Sequence, residues 1–552
     1  MRSFVLFLFC TTLALNALGQ NSARYLILFK DKANTPYSIN NPKEYLSAKS
    51  VARRAKQNIS VTINDLPVNP EYVAAIVATG AKVLFKSRWF NGALVEASTD
   101  ELAKIKTLSC YKGIELNKAV YFETDLGITK QKETVRVSQV LEELDYGNMR
   151  NQVVILGADY FHEKNIQGND MLIGVFDNGF SRIDELGYFK SLFTDKRIVD
   201  TYDFVAREKN VYNDGSHGTN VLSTIAAFEP GSLIGIAPKA NFALYQTENN
   251  GGESPYEEIT WLLAAERADS LGVDIISSSL GYMNFDGKYN TVDYNYTYAN
   301  MDGQTTIVSR AARYASRKGI LVVNAAGNEG NSSWKYIIAP ADVDSVFSVG
   351  ATDYNLNYAS FSSVGPNSLG QTKPDISAVG QGASIGNTIG TGSATTSNGT
   401  SFSAPQIAGL CALVWQAFPI LNAQEVIKLI KKTGHLANNP NNFLGYGVPD
   451  LRKIEAFFEQ DYGPLATNEE EMYNITVSPN PVYRTIQLLV PDYLVGEKAE
   501  IKIYTNSGAL LSSNSMELSK HTALPFSDQK PGLYLLKIES KSIRLTRKFV
   551  KQ

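Results

Sequence analysis

Leu172-Ile173-Gly174-Val175-Phe176-Asp177-Asn178-Gly179 reads as a strand buried on both faces. A short unbroken apolar run closed by a turn signal fits the interior of a parallel sheet, where alternation with polar residues is not required. The run ends on a carboxylate and turns at Asn178-Gly179, so Asp177 stands at the strand's C-terminal edge. Similar runs follow at Ala243-Leu244-Tyr245, Ile275-Ile276, Leu321-Val322-Val323 and Val346-Phe347-Ser348-Val349, separated by segments of helical periodicity. That alternation predicts an α/β domain, a parallel sheet flanked by helices on both faces.

Three further segments carry groups with matching chemistry. In Asn213-Asp214-Gly215-Ser216-His217-Gly218-Thr219-Asn220-Val221-Leu222, a Gly-containing loop delivers His217 into the first turn of a predicted helix. In Gly399-Thr400-Ser401-Phe402-Ser403-Ala404-Pro405, Ser401 lies on a tight turn ahead of another helix, beside N–H groups that have no intrahelical partner. A serine hydroxyl is nearly inert until an imidazole takes its proton, and the imidazole needs a carboxylate to fix its tautomer and stabilise its charge. Asp177, His217 and Ser401 supply that set. After the run Ile320-Leu321-Val322-Val323-Asn324 comes Ala325-Ala326-Gly327-Asn328-Glu329-Gly330, whose Asn328 carboxamide is a candidate oxyanion donor together with the Ser401 N–H.

Taken singly, each residue has a plainer reading. Asp177 and Asn328 read as turn residues, Ser401 as a helix cap, and His217 as a polar loop residue. The joint order Asp, His, Ser is what separates them from those readings, because other serine hydrolases place the same groups in other orders.

These motifs resemble the subtilisin-like (subtilase) serine endopeptidases over residues 145–458. The resemblance rests on Asp177-Asn178-Gly179, His217-Gly218-Thr219, Ala326-Gly327-Asn328 and Gly399 to Pro405, with Lys373-Pro374-Asp375 and Gly445-Tyr446-Gly447-Val448-Pro449-Asp450 in support. Ile276-Ser277-Ser278-Ser279-Leu280-Gly281 resembles the family's substrate edge, which implies that Ser279, Leu280 and Gly281 pair with an extended polypeptide. Asn178 stands where Ser or Thr is commoner, and Phe402-Ser403 replaces the commoner Met-Ala. Neither change removes a reacting group. The resemblance implies peptide-bond hydrolysis through an acyl-enzyme, with no cofactor in the chemistry. A catalytically silent binding or adhesion protein and a secreted esterase are the alternatives.

The flanks read as separate units. At 552 residues, 44% apolar and 19% charged, the chain has room for several cores, and a net charge of −3 gives no pull toward nucleic acid. Residues 1–19 have the form of a signal peptide, with Arg2, an apolar run and small residues at Ala17-Leu18-Gly19. No later run suits a transmembrane helix. Residues 20–144 alternate strand and helix patterns, among them Tyr25 to Phe29, Tyr72 to Val77, Ala81 to Phe85, Gly92 to Glu96, and a helix opening at Thr99-Asp100. Their place ahead of the main domain resembles the family's inhibitory propeptide, and the Lys-rich stretch 129–137 suits a processing linker. An ordinary N-terminal interaction domain is the alternative.

The catalytic domain is assigned to 145–458, a polar linker to 459–472, and a β-sandwich to 473–552. Ser478-Pro479-Asn480-Pro481, Gly532 to Ile538 and the basic end Arg547 to Gln552 resemble the C-terminal sorting domain of type IX secretion substrates in Bacteroidetes. That implies export across the periplasm and outer membrane of a Gram-negative cell, with the secretion machinery as a partner and a carbohydrate- or protein-binding sandwich as the rival. Cys110 and Cys411 fall in different units, so no disulfide framework is expected. The Tyr-rich segment 281–307 is a candidate wall of the cleft, and its Asp286, Asp293 and Asp302 are candidate ligands for a structural calcium. The Gly-rich run 380–392 lacks the ending of a phosphate loop and is expected to be a mobile surface loop.

Overall fold

The computed structural model describes residues 22–122, 144–389, 393–462, 475–491, 494–505, 509–540 and 543–552. The expected signal peptide, the processing stretch 129–137, and linker residues from 463 onward lie outside the described residues.

The main domain is built on seven parallel strands. From one edge they run Ile376–Val379, Phe347–Thr352, Leu321–Ala325, Ile275–Ser278, Leu172–Asp177, Asn241–Gln246 and Ile198–Asp203. Every residue of Leu172–Asp177 is buried, as its composition predicts. Its side chains alternate between two cores. Ile173 and Val175 pack with helices His217–Ala226 and Thr400–Ala417, whereas Leu172 and Phe176 pack with Pro255–Leu271 and Ile307–Arg317.

Chain order reverses at the Leu172–Asp177 strand. The next two strands lie on one side of it, and Ile275–Ser278 opens the other. In open parallel sheets the crevice beyond the strand ends at such a switch point is where ligands bind. Asp177 ends one of these strands and Ser279 follows the end of its neighbour.

Helix Pro255–Leu271 is almost wholly buried, acids included: Glu257, Glu258, Glu266 and Asp269 are all inaccessible or nearly so. It starts cleanly because Pro255 suits the first helical position and the Glu257 carboxylate accepts the Ser254 N–H at 2.6 Å. Gly272, at φ +94°, closes it in a left-handed cap. One side of this helix meets the sheet and the other meets the N-terminal unit.

That unit is an antiparallel sheet of Ala23–Phe29, Lys82–Ser87, Gly92–Ala97, Tyr111–Ile114 and Tyr121–Phe122 with helices Ala48–Lys56, Pro70–Val77 and Thr99–Lys106. The last helix is capped by Ser98 rather than by the Thr99-Asp100 pair, because Ser98 and Glu101 form a reciprocal capping box. At the interface, Asp269 is fully buried and is held by Arg53, Arg54 and Arg88 of the N-terminal unit, at 2.5–2.9 Å. Glu266 accepts the Ser87 hydroxyl at 2.6 Å and the Arg88 N–H at 2.8 Å. Trp89 stacks on Tyr314, ring centres 5.8 Å apart.

The run expected to be a mobile loop contains a pair of antiparallel strands, Ala383–Gly386 against Ala394–Ser397; residues 390–392 lie outside the described residues. Gly380 serves close approach rather than freedom, since a side chain there would meet Ser403 Oγ at 2.3 Å. The C-terminal unit is a sandwich of a three-stranded and a four-stranded antiparallel sheet around Ile486, Leu488, Ile501 and Leu536. Cys110 and Cys411 are buried and free. No helix among the described residues is long and apolar enough to cross a membrane.

Burial raises the pKa of Asp269, and the three guanidiniums overcome this to hold its carboxyl well below the usual carboxylate range. Its stabilising contribution is therefore complete above the ~3.9 of an unfolded aspartate and is lost as pH falls below that. Asp269→Asn removes the carboxylate that three guanidiniums share, leaving Arg54 with Asp65 alone, and is expected to cost about 3 kcal/mol. Denaturant unfolding of the full chain at neutral pH and below pH 4 checks both points: the variant's deficit should shrink in acid.

Candidate active site

Asp177 is inaccessible to solvent, and its Oδ1 lies 2.7 Å from His217 Nδ1. A carboxylate can only accept, so the imidazole donates through Nδ1 and presents Nε2 to the crevice as the free nitrogen. Two loops fix this pair by pressing backbone against backbone. A side chain on Gly179 (φ +124°) would lie 2.1 Å from the Asp214 carbonyl, and one on Gly215 (φ +66°) would lie 2.0 Å from that of Asn178. Asn178 adds a latch, donating its side-chain amide to Asn250 Oδ1 at 2.9 Å while its N–H caps Asp177 Oδ1 at 2.8 Å. Asp177 Oδ2 is buried without a partner among the described residues.

Burial pulls the pKa of His217 down, and the Asp177 carboxylate, by charge and by hydrogen bond, more than offsets it, leaving the imidazole above its ordinary value. The side chain remains about 35% exposed, so a bound molecule can reach it.

Ser401 is the second residue of helix Thr400–Ala417, entered through Gly399 at φ +151°. The ring of Phe402 packs 5.7 Å from that of His217, which places the turn beside the imidazole. Ser401 Oγ donates to the Ser279 carbonyl at 3.4 Å, so engaging His217 takes a rotation about its side-chain bond. Pro405 has no N–H to offer the Ser401 carbonyl four residues back. The Ser279 hydroxyl takes that carbonyl instead, at 2.8 Å, and so ties the helix to the strand end.

Asn328 is exposed at the rim. Its Oδ1 accepts the Thr400 N–H at 2.9 Å and the Thr400 hydroxyl at 3.1 Å. Because a backbone N–H can only donate, the atom it meets is the oxygen, and the amide NH2 is left to donate elsewhere.

Beyond Ser279, which is buried, Leu280 and Gly281 are partly exposed. Asn324 holds the Leu280 carbonyl at 2.9 Å, and the backbone of Gly281 is hydrogen-bonded to none of the described residues. The structure thus gathers Asp177, His217, Ser401, Asn328 and the 279–281 edge in one crevice. Thr400, Asn250 and the Ser279 hydroxyl are additions that sequence reasoning missed. Only the Pro405 ring gave a sequence signal, by announcing a helical carbonyl in need of another donor.

The candidate calcium residues are dispersed. Asp302 accepts from Gln304 and Thr305 in its own turn, Asp286 accepts the Glu253 N–H at 3.1 Å, and Asp293 offers its carbonyl to Lys118. Among the described residues the one set of three acids with oxygens within 4.8 Å of one another is Glu248, Glu253 and Glu257. Burial, then mutual repulsion, pushes Glu248 and Glu257 well up, and burial with Asp286 nearby brings Glu253 to about 7. The Tyr-rich segment packs on the long buried helix, with Tyr296 donating to Glu258 at 2.6 Å, and reaches the N-terminal unit, with Tyr294 donating to the Ala119 carbonyl at 2.8 Å.

Three sequence profiles match the chain: "Subtilase family" over residues 168–447, "Peptidase S8 propeptide domain, Bacteroidota" over 24–134, and "Secretion system C-terminal sorting domain" over 476–552. Subtilisin DY of Bacillus licheniformis is 30% identical over 306 residues, spanning 55% of this chain and 96% of that protein. M-protease of Shouchella clausii (strain KSM-K16) is 25% identical over 398 residues, 72% of this chain and 90% of that protein. Among solved structures, the MycP3 protease from the type VII (ESX-3) secretion system superposes on 56% of this chain and 88% of its own, at 21% identity and a TM-score of 0.44.

An NMR titration of the His217 ring, distinguished from the chain's three other histidines by loss of its signal in His217→Gln, is expected to have its midpoint above the ~6.5 of free histidine. In Asp177→Asn burial acts unopposed, and the midpoint should fall below that value. An unchanged midpoint would contradict the charge coupling drawn from the structure.

Proposed function

The chain belongs to the subtilase family, and from that premise we propose that Ser401 is its nucleophile, His217 its general base, Asp177 the group that orients His217, and Asn328 with the Ser401 N–H its oxyanion donors. The protein is a secreted serine endopeptidase carrying a propeptide domain and a C-terminal sorting domain for export through the outer membrane. The observation that carries the residue assignment is the 2.7 Å contact of His217 with a buried Asp177, in the crevice where the Ser401 helix begins.

In this scheme an extended polypeptide adds to the Ser279 to Gly281 edge through backbone hydrogen bonds. Ser401 Oγ attacks the scissile carbonyl as His217 Nε2 takes its proton. Asp177 steadies the imidazolium; its Oδ2, without a partner of its own, leaves the buried charge to be balanced chiefly by His217. The tetrahedral oxyanion is met by the NH2 of Asn328, which Thr400 holds in that orientation by engaging the oxygen. His217 then protonates the leaving amine, and water repeats the cycle on the acyl-enzyme. No step calls on a cofactor. Because His217 must be neutral to begin, activity belongs to neutral and alkaline pH.

The N-terminal unit acts, in this reading, as an intramolecular inhibitor until it is cut away. Its docking on Asp269 and Glu266 of helix Pro255–Leu271 supports that role by seating the tethered unit on the catalytic domain before cleavage. The C-terminal unit is the part read by the secretion machinery.

A fluorophosphonate probe is expected to label the processed enzyme, and Ser401→Ala should abolish both labelling and casein hydrolysis. Asn328→Ala should lower kcat roughly 10²–10³-fold with KM little changed. Casein hydrolysis that survives Ser401→Ala would refute the assignment.

A further inference from the structure

The segment following Tyr336 crosses beneath the crevice and is fastened to both of its banks. Tyr282 N–H donates to the Ala339 carbonyl at 2.8 Å, and Ala339 N–H returns to the Tyr282 carbonyl at 3.2 Å. One residue earlier, Ile338 N–H donates to the Ala326 carbonyl at 3.2 Å. Ile338 is therefore pinned between the end of the substrate edge and the segment that carries Asn328.

Its side chain occupies the space between two glycines. A methyl group on Gly281 would lie 2.4 Å from Ile338 Cδ1, and one on Gly327 would lie 2.9 Å from Ile338 Cγ1. Gly281 and Ile338 are each partly exposed, whereas Gly327, Ile337 and Ala339 are buried. Ile338 thus forms the solvent-facing floor of the gap between the banks. Below it, Ile337 packs with Ala326 and Ala341 as a closed apolar cluster, so the floor has no slack to move downward.

A substrate strand lying on Ser279 to Gly281, with its scissile carbonyl between Ser401 Oγ and the Asn328 NH2, has one side chain committed to this gap. It belongs to the residue that supplies the carbonyl, on the N-terminal side of the cleaved bond. The geometry points to Ile338 as the specificity-determining residue of this enzyme: it fills the gap and restricts that substrate position to small side chains such as Ala, Ser and Gly. Two glycine walls make the gap wide, and the branched Ile338 side chain makes it shallow. This deepens the proposed function and rests on it.

Tetrapeptide p-nitroanilides that differ only in the residue before the cleaved bond, Ala, Leu or Phe, provide the test on processed enzyme made from the full chain. Wild type is expected to favour Ala over Phe in kcat/KM by roughly tenfold or more, the scale on which an apolar pocket discriminates by size. Ile338→Gly and the milder Ile338→Ala are expected to shift the Phe-to-Ala ratio toward Phe by roughly tenfold. A ratio is unaffected by a uniform loss of folded enzyme. Ser401-dependent cleavage that prefers Leu or Phe in wild type, or a ratio left unchanged by both variants, overturns the role of Ile338 alone. Cleavage that persists in Ser401→Ala overturns the proposed site and this inference with it.

Discussion

A parallel sheet packed on both faces leaves its strand ends as the place where polar groups can gather without being stranded in a core. The strands Leu172–Asp177, Ile275–Ser278 and Leu321–Ala325 are fully buried along their length. All three run the same way, so the segments that leave them meet on one rim. Asp177, Ser279 and Asn328 belong to those three exits. The crevice is a consequence of topology before it is a consequence of any side chain.

What topology does not supply is the placement of a helix against that rim to within a bond length. Here two hydroxyl-bearing residues do it. Ser279 donates to the carbonyl that Pro405 leaves unserved, and Thr400 holds Asn328 by its oxygen. Each contact joins the Thr400–Ala417 helix to a different strand exit, so the helix start is fixed at two points. A serine on such a turn is positioned by its neighbours' hydrogen bonds rather than by its own, which leaves its hydroxyl free to exchange the Ser279 carbonyl for another partner. Preorganisation of this kind costs nothing at the moment of reaction.

The sheet and the four residues Asp177, His217, Ser401 and Asn328 were legible in the sequence because each sits in a local pattern, an apolar run ending in a turn or a small-residue turn opening a helix. The latches were not. Thr400 and Asn328 are 72 residues apart and Ser279 and Ser401 122 apart, and nothing local marks such a pair. The Pro255–Leu271 helix shows the converse difficulty. Its acids would suit a solvated face, yet Asp269 and Glu266 are buried where the N-terminal unit brings arginines to them, and Glu258 where Tyr296 donates to it. Gly380 misled for a third reason: glycine serves both mobile turns and close packing, and only the nearness of Ser403 decides between them.

The arginine cluster explains why the N-terminal unit docks in one way. Apolar contacts such as Trp89 on Tyr314 are tolerant of small shifts, because dispersion and water release have little directionality. A buried carboxylate is not tolerant. Asp269 must meet Arg53 and Arg54 from one helix and Arg88 from the turn after the Lys82–Ser87 strand, and any other register leaves a charge in the core without a partner. Such a cluster adds little net affinity, since desolvation consumes most of the attraction, but it makes wrong docking expensive. In the first turn of the same helix Glu257 lies beside Glu248, and Glu248 accepts from Tyr282 at 2.5 Å, next to Gly281. One helix therefore carries the arginine cluster of the N-terminal unit near its C-terminal end and borders the Tyr282 contact in its first turn, so the register of docking and the position of the 279–281 edge are referred to the same element.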